Sequence, residues 1–193
     1  MIRFEEVSFS YKDSEMPGGR RHVFRNFSLH VKPGERILVQ GASGCGKTTL
    51  LRLIMGLERP DLGELHIGTG KLSAVFQENR LLPYLTAAEN CTLFGPDREA
   101  VLSLLARIGL EESADAYPSS LSGGMARRVA IARALTHPAD LYLFDEPFTG
   151  LDEENVQRTA ETICHATEGK TVVLVTHRAE EGQLLGVDRT VEL

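Results

Sequence analysis

The chain has 193 residues, of which 42% are hydrophobic and 25% charged, and a formal net charge of −6. That length suits one domain with a core of its own. The acidic balance, without a basic stripe, argues against a nucleic-acid partner and against direct binding to anionic lipid.

The opening residues, MIRFEEVSFSY, lack the charged-then-apolar pattern of a secretory signal, and no apolar run reaches bilayer-spanning length. Cys45, Cys91 and Cys164 are scattered without metal-ligand spacing, which fits a reducing compartment.

Alternating residues at 2–11 and 22–31 predict two strands, and the polar break with Pro17, Gly18 and Gly19 predicts a hairpin loop between them. A tight turn at 32–35 leads into a short β-rich run at 36–40. Apolar residues at helical spacing over 50–57 predict a helix that stops at Gly56 and Pro60. Two further strands are expected at 64–68 and 72–77. From 78 to 120 the pattern turns helical, most clearly at 87–94 and 99–110, and a further helix is expected over 122–135. The unbroken apolar run LYLF at 141–144 predicts a strand covered on both faces. A helix at 153–167, a buried strand at 171–176, a short helix and the final VEL close the chain. Strands alternating with helices predict an α/β core, carrying an antiparallel β layer and a helical insertion.

Gly41, Ala42, Ser43, Gly44, Cys45, Gly46, Lys47 and Thr48 match G-x-x-x-x-G-K-[ST] between a predicted strand and a predicted helix. Glycines let the backbone curl so that its N–H groups face phosphate oxygens, and the helix adds its positive end. Lys47 would reach the β- and γ-phosphates and Thr48 would offer a hydroxyl to Mg²⁺. Thr49 extends the loop. The thiol of Cys45 matters less here than its main-chain N–H. Alone, the loop says nucleotide binder and no more.

Asp145 and Glu146 end the buried strand, where a parallel sheet delivers side chains to the ligand crevice. Asp145 can hold Mg²⁺, and Glu146 can accept a proton from an attacking water. Ser122, Gly123 and Gly124 open the next helix, with a good N-cap and two bared N–H groups. They make a second anion cradle, which one nucleotide does not need.

In these motifs the sequence resembles the ATP-binding cassette (ABC) family, in order and over essentially the whole chain. The resemblance implies a P-loop NTPase core with an antiparallel β subdomain and a helical signature subdomain. The β layer and core would occupy about 1–77 and 138–193, and the helical part about 78–137. It implies an ATPase that works as a head-to-tail pair of copies around ATP and Mg²⁺. Tyr11 is similar to the aromatic that stacks on adenine, although Phe9 or His22 could meet that face. Gln77 resembles the Q-loop residue at Mg²⁺, Asp152 the D-loop residue, and His177 the switch histidine at the γ-phosphate.

Residues 78–90 resemble the permease-docking segment of bacterial importers for nitrate, sulfonate and taurine-like solutes. The implied partners are a transmembrane permease and, through it, a solute-binding protein. The implied place is the cytoplasmic face of the inner membrane. The chain departs from the family at Met125, where the signature usually ends in Gln, and at Arg178, where importers often carry Asp. A cassette of the lipoprotein-release or cell-division type, which shares every ATPase residue named, is the alternative.

Overall fold

The strands sort into two sheets by their apolar pattern. The computed structural model describes residues 1–14, 18–68, 70–93 and 95–193. Strands β1 (Ile2–Lys12) and β2 (Arg20–Val31) pair as an antiparallel hairpin with several register shifts. Strand β3 (Arg36–Gln40) leads through the phosphate loop into α1 (Lys47–Ile54). Strand β4 (Leu62–Ile67) turns back onto β1, giving the order β2-β1-β4, and β5 (Leu72–Val75) enters the other sheet. The helices α2 (Ala87–Thr92), α3 (Arg98–Arg107) and α4 (Gly123–Thr136) follow. Then come β6 (Leu141–Asp145), α5 (Glu153–Ala166), β7 (Thr171–Val175), α6 (Ala179–Leu184) and β8 (Arg189–Glu192). The second sheet runs β5-β6-β7-β3-β8, and every pairing in it is parallel.

Parallel strands sandwiched between layers bury both faces, and here alternate residues of one strand enter different cores. Ile37, Val39, Leu143 and Val173 pack with Phe4, Val7, Phe9 and Phe24 of the β layer and with Leu50 and Leu53 of α1. Leu38, Phe144 and Leu174 point the other way, onto Ile131, Phe148 and Ile163. A third cluster joins the helices through Ala88, Cys91, Val101, Leu105, Ile108 and Val129. Burial pushes the Cys91 thiol up to about 12, so it packs as a small apolar group.

Several element ends differ from expectation. Helix α1 begins at Lys47 rather than residue 50, because its first turn is part of the phosphate loop. Residues 78–86 are irregular instead of helical. Pro83 lies in that stretch, and Thr86 starts α2 with a reciprocal capping box to Glu89. The strand expected to run to Gln77 stops at Val75. Pro17 of the expected hairpin loop and Phe94 at the end of the expected helix 87–94 lie outside the described residues.

Candidate nucleotide site

A parallel sheet puts all its carboxyl ends at one edge, and the strand order decides which motifs become neighbours. β3 delivers the phosphate loop and stands beside β7, which delivers Thr176 and His177. β7 stands beside β6 with Asp145 and Glu146, and β6 beside β5, which leads to Gln77. A cleft of about 410 Å³ opens there, within the range of small-ligand sites. Gly41, Ser43, Gly44, Gly46, Lys47, Thr48, Thr49, Gln77, Asp145, Glu146 and His177 line it, together with Arg21.

The loop's curl requires glycine at two places. Gly41 has φ +150°, and a Cβ there would lie 2.7 Å from Cys45 Sγ and 2.8 Å from the Leu193 carbonyl oxygen. Gly46 caps α1 at φ +116°, where a Cβ would meet Val23 at 2.6 Å. Lys47 Nζ donates to the carbonyls of Gly41 (2.8 Å) and Ala42 (2.9 Å), so the ammonium is already held inside the curl. The Cys45 N–H donates to the Ala42 carbonyl at 3.2 Å and helps close that curl.

Opposite the loop, Thr48 Oγ1 donates to Asp145 Oδ2 at 3.3 Å. Asp145 is buried, and burial pushes its carboxyl above the ordinary range, with the Glu146 charge adding to the effect. A buried acid that shares a cleft with a threonine hydroxyl and a glutamine amide makes a set of hard oxygen donors, which fits a divalent cation such as Mg²⁺. Glu146 sits at φ +50°, a conformation uncommon outside glycine. Its N–H donates to the Val175 carbonyl at 2.8 Å, and its carboxylate lies 3.1 Å from His177 Nδ1. His177 itself is largely exposed.

Not every expected residue joins this cleft. Tyr11 packs edge-on against Phe9 with ring centroids 4.9 Å apart, its hydroxyl 3.4 Å from Thr49 Oγ1, and it is absent from the cleft wall. Phe9 is buried and His22 is exposed on β2. Ser122, Gly123, Gly124 and Asp152 line a separate hollow, which shares Gln77 with the first. There the Ser122 hydroxyl accepts the Met125 N–H at 3.2 Å and caps α4. Asp152 caps α5 by accepting from the Asn155 N–H at 2.9 Å, and that bond holds its carboxyl below the ordinary range. A wider depression on the antiparallel sheet carries charged side chains, among them Arg3 paired with Glu5.

Sequence reading missed Arg21. It faces Tyr11 across the β1–β2 ladder, and its guanidinium has no partner among the described residues. Only the register of the hairpin reveals that it overlooks the phosphate loop. Arg127 and Glu181, both buried behind this cleft, were missed as well.

Comparison with known proteins identifies the family. The profile of the ABC transporter family matches residues 24–149, and the chain belongs to that family. It is 42% identical over 185 residues to the aliphatic sulfonates import ATP-binding protein SsuB 2 of Pseudomonas fluorescens, covering 90% of this chain and 68% of that one. It is 36% identical over 214 residues to the ergothioneine transport ATP-binding protein EgtV of Helicobacter pylori, covering 100% of this chain and 97% of that one. Among solved structures it superposes on the dimeric post-hydrolysis state of the ATP-binding cassette MJ0796 bound to ADP and Pi. That match has a TM-score of 0.89 and 32% identity, and covers 100% of this chain and 94% of that one. The fold is the ABC ATPase fold, and the chain is an ATPase coupled to transport.

Proposed function

We propose that the chain is the ATP-hydrolysing subunit of a bacterial solute importer, and that two copies act head to tail. The observation that carries the pairing is the separation of the two anion cradles. The hollow lined by Ser122, Gly123 and Gly124 is distinct from the cleft of the phosphate loop. A helix tip with bared N–H groups that does not serve its own nucleotide suits one held by another copy. The dimeric state named for the MJ0796 cassette supports the same reading.

In this arrangement the phosphate loop and Lys47 grip the triphosphate, and residues 122–124 of the second copy close over its terminal phosphate. Thr48, Asp145 and Gln77 would hold Mg²⁺, whose charge offsets that of the β- and γ-phosphates. Glu146 orients the attacking water and accepts its proton, while His177 bridges Glu146 and the γ-phosphate. Asp152 faces the second copy. The hydroxyl of Tyr11 lies 3.4 Å from Thr49 Oγ1, which supports a role for its ring at the adenine.

The partner side is argued from residues 78–86. Leu82 and Tyr84 are 45% and 88% exposed, five and seven residues after Gln77. Large apolar groups next to a nucleotide-sensing residue suit the cytoplasmic helix of a permease. Among the described residues no helix is long and apolar enough to cross a membrane. The chain would therefore sit on the inner membrane's cytoplasmic face by gripping the permease, which in turn meets any solute-binding protein. The names of the import relatives favour this over a lipoprotein-release or cell-division role. Their solutes differ, which is expected if the permease rather than this subunit contacts the solute.

The test is Glu146→Gln. It should keep ATP binding, lose roughly 100-fold or more in turnover, and run as a dimer on gel filtration with MgATP. A monomer under those conditions sinks the head-to-tail reading.

A further inference from the structure

Arg127 lies on α4, five residues after the Ser122 cap, and is only 3% exposed. A buried arginine ordinarily answers a carboxylate, yet none of its bonds goes to one. Nε donates to the Pro147 carbonyl at 3.1 Å. Nη2 donates to the carbonyls of Asp145 and, at 2.7 Å, Glu146. Nη1 donates to the Phe76 carbonyl, to that of Gln77 at 3.2 Å and to Asn79 Oδ1 at 3.4 Å. One planar fork thus ties together two loops, 76–79 and 145–147, that are far apart in sequence. Burial lowers its pKa and the nearby Asp145 and Glu146 charges raise it, so those acids help keep it cationic.

We propose that Arg127 is a positioning residue: it fixes Gln77 and Glu146 relative to each other and fastens both to the helix whose tip carries residues 122–124. This rests on Gln77 and Glu146 acting at the γ-phosphate as described above. Glu146 holds a backbone conformation uncommon for a side-chain-bearing residue, and such a conformation persists only when its surroundings over-determine it. The Val175 carbonyl holds its N–H, and the fork of Arg127 holds the carbonyls on either side. A lysine has one ammonium and reaches one loop; it cannot span both. The fork also means that a shift of α4, as its tip closes on the second copy's nucleotide, carries the chain's own water-orienting carboxylate with it.

The experiment compares Arg127→Lys and Arg127→Gln with the unaltered chain in steady-state ATPase kinetics, thermal melting and amide hydrogen exchange. Both variants are expected to lose about tenfold or more in kcat with KM for ATP within about threefold. Melting should fall in both variants, less for Arg127→Lys than for Arg127→Gln, with both chains still folded at the assay temperature. Exchange should quicken together in segments 76–79 and 145–147, while the rest of α4 stays protected. Turnover within about twofold of the parent in both variants overturns the inference. So does a KM that rises as kcat falls, and so does failure of both variants to fold, which would make Arg127 a plain structural anchor. Glu146→Gln run alongside separates the two readings. If it keeps turnover, the site assignment fails; if it is inactive while Arg127→Lys is fully active, only the role of Arg127 fails.

Discussion

Glu181 is a buried acid whose nearest donor is shared. The Thr176 hydroxyl lies 2.6 Å from Glu181 Oε2 and 3.4 Å from Glu146 Oε2, and one proton cannot serve two ionised acceptors. Burial, with the Glu146 charge adding to it, raises the Glu181 pKa above 4.5. The folded chain therefore binds this proton more tightly than the unfolded chain. The penalty is absent below 4.5 and sets in as pH rises through the raised value. Glu181→Gln removes that penalty, so its melting temperature should gain on the parent's as pH climbs from 4.5 through the raised value, and should hold that gain above it. A difference in melting that does not change with pH would refute this assignment. At the cleft mouth, Arg21→Ala should raise KM for ATP about two- to fivefold with kcat unchanged, the scale of an exposed charge contact. A kcat effect without a KM effect would place Arg21 elsewhere in the cycle.

Helix starts separate stability from chemistry. Ser122 caps α4, and Asp97 caps α3 by accepting the Ala100 N–H at 2.8 Å. Replacing either with alanine should cost about 1 kcal/mol in denaturant melts. Only Ser122→Ala should also slow ATP turnover; equal activity in the two variants would leave the α4 tip with a capping role alone. At element scale the sequence was legible wherever a pattern is local. The glycine loop, the LYLF strand with its two acids, and the capped glycine pair all sit within a few consecutive residues. What was hidden depends on distant chain segments. The order β5-β6-β7-β3-β8, the return of β4 onto β1, the view of Arg21 into the cleft and the reach of Arg127 to Phe76 have no local signal. The helical reading of 78–86 failed for a related reason: its apolar residues follow helical spacing, but Leu82 and Tyr84 stay exposed instead of packing.

At the scale of the whole molecule, the proposed role of that exposed pair is to couple ATP use to a partner. Tyr84→Asp should leave the isolated subunit's ATPase rate and melting unchanged, and should abolish stimulation by the co-expressed permease. Stimulation that persists in the variant would move the docking face to another part of the surface. The core makes a contrast. Phe144 is fully buried between β6 and the helices behind it, and Phe144→Ala should cost about 3–5 kcal/mol in chemical unfolding.

If, as proposed, each chain lends its two cradles to different nucleotides, damage to one cradle can be rescued by damage to the other. A Lys47→Ala chain spoils its own grip yet still offers an intact α4 tip. In a Gly124→Val chain the added carbons press on the Gly150 carbonyl, 3.0 Å from where a Cβ would sit, so the tip is spoiled and the grip spared. Either chain alone forms pairs with no whole compartment. Mixed, they assemble hybrids in which both lesions fall on the same side and leave the opposite compartment intact, so two inactive preparations together should regain activity.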